Sequence, residues 1–203
     1  MRYDEYAYLW PPRPERKVPP TTFSFYQARG YWAQVKKNGT CTVIFARGKE
    51  VIFKTRHEDD HKAWTPKPEH IKFFQSNSTE WNVYVAELIH SKTPHIKDQL
   101  YIFDMIVEDG EQLTGVTFAE RQKRLYAKYP GGVYETDQYR IHPNVTLAVN
   151  FKAVYQHLWK SLKTEDEGLV LKDPNAKLVA CLKQTSNAGW QVKSRRPTKN
   201  YSF

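Results

Sequence analysis

Val35-Lys36-Lys37-Asn38-Gly39-Thr40 is the stretch on which the reading of this chain turns. Upstream, Tyr31-Trp32-Ala33-Gln34-Val35 has the aromatic and β-branched content of a strand, and downstream Thr40-Cys41-Thr42-Val43-Ile44-Phe45 has it again. Asn38 and Gly39 both tolerate the positive φ of a tight primed turn, so the pattern predicts a β-hairpin with Lys36 at a strand end. On these residues alone two readings are open. The pair Lys36-Lys37 is either a solvated feature of a surface hairpin, or it holds a nucleophile whose backbone is fixed on both sides.

With 203 residues the chain can bury one substantial core, and it is too short for two full-sized domains. Hydrophobic residues make up 40% and aromatics 14%, which excludes a disordered chain. The net charge of +9 points to an acidic partner, most simply nucleic acid, although a basic protein without such a partner has the same composition. Two cysteines, Cys41 and Cys181, with no CxxC or His/Cys cluster, argue against a disulfide framework or structural zinc and fit a reducing compartment. No signal-peptide core or bilayer-length apolar run is present, so a cytoplasmic protein that does not engage a membrane is expected.

Residues 1–22 hold five of the twelve prolines and are predicted to form an arm that is neither regular helix nor central strand. The arm is either a polyproline ligand or a segment whose Tyr6, Tyr8 and Trp10 pack back on a domain at 23–203. Further strands are predicted at Glu50–Arg56, Trp81–Ile89, Leu100–Val107, Gly168–Lys172 and around Trp190–Lys193, with an acidic turn at Glu165-Asp166-Glu167. A short helix is predicted around 69–74. Thr117-Phe118-Ala119-Glu120 is a capping box opening a helix that ends before Pro130-Gly131-Gly132. Leu147, Phe151, Val154, Tyr155, Leu158 and Leu162 are spaced for the apolar face of a second helix.

The ordered set Lys36-Lys37-Asn38-Gly39, Lys54-Thr55-Arg56, Ala86-Glu87-Leu88, Tyr101-Ile102-Phe103-Asp104, Glu167-Gly168-Leu169-Val170-Leu171-Lys172 and Val192-Lys193-Ser194-Arg195 resembles the motif series of the covalent nucleotidyltransferases. That superfamily comprises ATP-dependent DNA ligases, RNA ligases and mRNA capping enzymes. No single motif is specific, but six in order across residues 32–196 are hard to obtain by chance. The resemblance implies an α+β adenylation domain, antiparallel sheets flanked by helices with a nucleotide cleft between them.

Residue by residue, it implies that Lys36 attacks the α-phosphorus of ATP and forms a lysyl-AMP intermediate. The attack needs a neutral amine, and clustered cations, here Lys37, Lys172, Lys193 and a metal, lower a lysine pKa by repulsion. Glu87 and Glu167 are implied as ligands of Mg2+ or Mn2+, with water and substrate phosphate completing the shell. Phe103 is implied to stack on the purine, Gln34 and Val35 to lie at the nucleotide, and Arg56 to contact ribose and the polynucleotide end. Lys172, Lys193 and Arg195 are implied at the α-phosphate or backbone; the basic tail that follows, with Arg196 and Lys199, is read from its charge either as binding nucleic acid or as solvated.

Tyr101 to Glu111, with Leu113-Thr114-Gly115 and the Glu120-Arg121 helix, is similar to DNA ligases, so a monomer that seals nicked duplex is expected, DNA ahead of RNA. Asn38 stands where an Asp is usual, and Thr40 after the glycine is closer to RNA ligases. Gln34 stands where DNA ligases commonly have Glu, and its amide oxygen can still accept from an adenine amino group. About eight residues follow Arg195, so no OB-fold is expected, and the protein either works as a bare catalytic domain or obtains a partner in trans. An RNA ligase, a capping guanylyltransferase and a catalytically silent nucleic-acid-binding domain are the other readings of the same motifs.

Overall fold

The computed structural model describes residues 9–180 and 187–197. Two mixed, mostly antiparallel sheets face each other across a cleft, giving the α+β architecture expected. The smaller sheet has the order β1-β12-β11-β2, from Arg13–Lys17, Asn187–Arg195, Asp166–Lys172 and Trp32–Lys37. The larger runs β4-β3-β5-β6-β10-β9-β8, from Glu50–Thr55, Thr40–Arg47, Asn82–Ile89, Gln99–Glu108, Val145–Ala148, Gln138–His142 and Val133–Tyr134. The short β7, Glu111–Gln112, pairs with β6 after a turn in which Asp109 and Gly110 have φ of 44° and 83°. Two pairings, β1 with β12 and β10 with β6, are parallel.

The central prediction of the opening stretch is overturned. β2 and β3 do not form a hairpin: β2 pairs with β11 in the small sheet, while β3 pairs with β4 and β5 in the large one. Neither Asn38 nor Gly39 has a positive φ. Asn-Gly is here a crossing between sheets, and Gly39 is needed because a Cβ would run into the Leu88 carbonyl, 2.8 Å from Glu87 Cγ. Thr93 Oγ1 and Lys92 Nζ hold the crossing by donating to the carbonyls of Asn38 and Gly39 at 3.1 and 2.5 Å.

Each sheet has its own core. Ala33, Val35, Leu169, Leu171 and Val192 of the small sheet pack beneath α1 (Phe23–Ala28) and α4 (Tyr155–Ser161) through Phe23, Tyr26, Tyr155 and Leu158. The large sheet buries Val43, Phe45, Val83, Val85, Ile102 and Ile106 with Phe74 of α2 (Pro68–Phe74) and Leu125 of α3 (Phe118–Ala127). Thr117 caps α3 by accepting from the Glu120 amide at 3.3 Å, whereas the Glu120 carboxylate faces Arg124 and Lys123. Only the first half of the predicted capping box forms.

The second predicted helix is half the length expected. Leu147 belongs to β10, Phe151 bridges to Ala33, and Val154 turns through a left-handed φ of 58° with its side chain exposed. The apolar spacing is shared between a strand and α4. Asp166 and Glu167, expected in a turn, open β11. The proline-rich arm supplies β1, which tolerates Pro14 because it is an edge strand. Leu9 is buried in the large core and the Trp10 ring lies 6.2 Å from that of His57; Tyr6 and Tyr8 lie outside the described residues. Among the described residues no helix is long and apolar enough to cross a membrane.

Candidate active site

The cleft between the sheets has a volume of about 260 Å3. Strand alternation decides which side chains enter it: Gln34 and Lys36 of β2 face the cleft, while Ala33 and Val35 face the outer core. Val35 therefore reaches the cleft only through its backbone. On β11 the alternation is shifted by a bulge at Gly168, whose φ of 149° suits glycine and where a Cβ would run into the Ser194 carbonyl. The shift lets Glu167, Val170 and Lys172 all line the cleft while Leu169 and Leu171 stay in the core. Gln191 and Arg195 of β12 complete this wall. Opposite stand Cys41, Glu87, Tyr101 and Phe103, with Arg56 just beyond β4.

Lys36 Nζ contacts Glu167 Oε2, and Arg195 Nε donates to that same oxygen at 3.0 Å. Burial works to raise the Glu167 carboxyl, but Lys36 and Arg195 outweigh it and hold it below the usual value. Glu87 behaves oppositely. Burial, helped by the charge of Glu167 and opposed by Lys36, pushes it up to about 7, although the Gly39 amide donates to its Oε1 at 3.0 Å. A cation beside Glu87 would relieve the penalty on its charge. Among the described residues no group of three or more His, Cys, Asp or Glu could hold a metal, so a divalent ion here would draw the rest of its shell from water and phosphate, as Mg2+ does.

Lys37 is excluded as the nucleophile and as a source of repulsion on Lys36. Its ammonium is buried between Asp137 and Asp166, 2.8 Å from Asp166 Oδ1. Burial disfavours its charge, but the two aspartates outweigh that and raise its pKa. Cys41 is no competing nucleophile either, since burial and then the charge of Glu87 push its thiol up to about 12.

At the other end of the cleft, Lys172 lies 5.0 Å from the Phe103 ring centre and 4.7 Å from that of Phe118. Burial pushes its ammonium down to about 8, with Asp104 opposing and Arg121 assisting. Asp104 and Arg121 form a buried two-pronged ion pair at 2.8 and 3.0 Å that ties α3 to β6 and so fixes Phe103. Gln34 is 2% exposed and hydrogen-bonded to Gln122 and Asn150.

Residues 62–186, more than half of the chain, match the model of the family described as the ATP dependent DNA ligase domain. The chain belongs to that family. The ligase domain is also similar in fold to a mycobacterial DNA ligase D complexed with ATP and MES, at 15% identity and a TM-score of 0.66 over 96% of this chain and 62% of that one. The ligase domain of M. tuberculosis LigD gives 13%, 0.68, 96% and 61%. A Lig E DNA ligase, from work on DNA binding with a minimal scaffold, gives 14%, 0.53, 92% and 69%. The chain thus spans about three fifths of the length of the two ligase D chains. No curated protein sequence matches.

The matched segment contains Glu87, Phe103, Glu167 and Lys172 but not Gln34, Lys36, Arg56 or Arg195; the cleft is what joins them. Lys193 stands between Gln191 and Arg195 on the same face of β12, where burial, then Arg195, Lys36 and Arg13, lower its pKa. Arg196, expected at nucleic acid, donates to the carbonyls of Leu162 and Lys163 at 2.6 and 2.8 Å, closing the end of α4. Lys199 lies outside the described residues. Gln122, Asn150, Asp137 and Asp166 were not singled out in the sequence as members of the site. Each is an ordinary polar residue whose partner is far away in the chain, and no local pattern announces it.

Proposed function

We propose that this ligase domain transfers AMP from ATP to Lys36 and from there to a 5′-phosphate, sealing nicks in duplex DNA ahead of RNA. The observation that carries the reading is Lys36 Nζ in the cleft, in contact with Glu167 and facing Glu87 and Arg195. In the first step the Lys36 nitrogen bonds to the α-phosphorus as the bond from that phosphorus to the bridging oxygen breaks. Pyrophosphate leaves; the ammonium gives up one proton to water before the attack and the nitrogen a second as the phosphoramidate forms, with Glu167 holding Nζ in the cleft. Lys193 and Arg195, beside Lys36, give the phosphate path positive charge that grows more favourable as charge spreads over the phosphoryl oxygens, and Lys172 adds positive charge at the Phe103 end of the cleft. Glu87 and Glu167 would hold Mg2+ or Mn2+, which would supply further positive charge at the triphosphate. Phe103 supports the purine and Arg56 the ribose side.

Intact-mass measurement after exposure to ATP and Mg2+ should show one added AMP on the wild-type protein and none on Lys36→Ala. Wild-type protein that gains no mass, or Lys36→Ala that gains as much, would overturn the reading. Matched DNA and RNA nicks offered to the adenylated protein then decide the strand preference, and sealing of RNA alone would replace DNA by RNA as the substrate.

A further inference from the structure

The Gln34 amide can present either its oxygen, an acceptor, or its nitrogen, a donor, to a bound base. Adenine offers an amino donor at the edge where guanine offers an oxo acceptor, so the orientation of this amide decides between them. Its nitrogen is 2.9 Å from Asn150 Oδ1, 3.2 Å from Gln122 Oε1 and 3.5 Å from the Phe103 carbonyl. Gln122 and Asn150 are themselves amides, and alone they could both turn over. What prevents this is the Phe103 carbonyl, a main-chain acceptor that cannot be reversed. Gln122 Nε2 donates to it at 3.2 Å, which points Gln122 Oε1 at its neighbours. Asn150 Nδ2 donates to that oxygen at 3.0 Å, which leaves Asn150 Oδ1 to receive Gln34.

We infer that Gln122 and Asn150 relay the polarity of the Phe103 carbonyl to Gln34, hold its oxygen toward the base, and thereby make the site select adenine over guanine. Both are positioning residues. The inference rests on the proposed adenylation of Lys36 and assigns its base selectivity to a network on α3 and the segment after β10.

The test compares covalent labelling of the full chain by ATP and by GTP with Mg2+. Gln122→Met, of similar length but without polar atoms, should lower the ATP-over-GTP preference about tenfold, the worth of one hydrogen bond, with the loss falling on KM for ATP more than on the maximal rate. Adding Gln34→Glu to Gln122→Met should restore the preference, because a carboxylate presents oxygen whichever way it turns. A merely structural role for Gln122 would not be rescued in this way. Asn150→Ala, at a half-buried position, should lower the preference by less and serves if Gln122→Met folds poorly. Unchanged preference in these variants, or no restoration by Gln34→Glu, overturns the inference. Wild-type protein labelled equally by both nucleotides overturns it while leaving adenylation intact, and labelling by neither overturns both.

Discussion

Gly39 and Glu87 are held against each other: the Gly39 amide donates to Glu87 Oε1 at 3.0 Å, and a Cβ on Gly39 would lie 2.8 Å from Glu87 Cγ and 2.9 Å from the Leu88 carbonyl carbon. The crossing between the sheets and the placement of a cleft carboxylate are therefore one packing problem. Gly39→Ala should cost about 1–3 kcal/mol, the usual range for forcing a methyl into filled space, read as a lower urea midpoint. Gly131→Ala, where a Cβ meets nothing within 4 Å, should stay within about 0.5 kcal/mol. Equal effects at the two positions would refute this account of Gly39.

Lys37 neutralises two buried aspartates, with side-chain exposures of 6% for Lys37, 7% for Asp137 and 2% for Asp166. Lys37→Met leaves Asp166 buried without its cation and Asp137 with only the Lys163 ammonium, 3.6 Å from its Oδ1, and should cost about 3–5 kcal/mol. Denaturant unfolding of this variant beside Lys36→Ala separates the two lysines. The first should lose stability and the second only the covalent label.

Lys172 is lowered to about 8 chiefly by burial, so at pH 7 it is charged where charge is unfavourable. The folded state binds this proton less tightly than the unfolded state, and stability from this residue rises with pH between about 8 and the ordinary 10.5. Lys172→Met should raise Tm at pH 7, with the gain shrinking toward pH 10, while labelling by ATP falls. A lower Tm at pH 7 would contradict the argument.

Asp98 is the hub beneath α2, accepting from Trp64 Nε1 at 3.0 Å and paired with Lys67 at 2.6 Å. Burial opposes its charge, but these partners prevail and depress its pKa. Its stabilisation is present in full above the unfolded carboxyl value of about 3.9 and is lost as pH falls through the lower folded value. Asp98→Asn, which suits the left-handed φ of 58°, should flatten the acid limb of Tm against pH below about 4. An unchanged acid limb would show that Asp98 does not set it.

Local pattern by itself determined most strands, the short α2, the start of α3, and the order of the chemical motifs, because alternation and capping act between residues that are close in the chain. Lys36 was singled out from Lys37 not by local pattern but by the resemblance to the nucleotidyltransferases, through that family's offset to Asn38-Gly39. Local pattern could not determine that Asn38-Gly39 crosses between sheets, since a turn and a crossing use the same small residues and differ only in where β2 and β3 find partners. Nor could it divide the apolar residues from Leu147 to Leu162 between β10 and α4, because two different cores take up one spacing. The ion pairs of Lys37, the orientation of Gln34 and the commitment of Arg196 to α4 were decided by the tertiary structure alone. Each depends on groups from distant segments meeting where water is scarce, and there the balance of burial against a particular partner, which no local pattern encodes, sets what a charge or an amide can do.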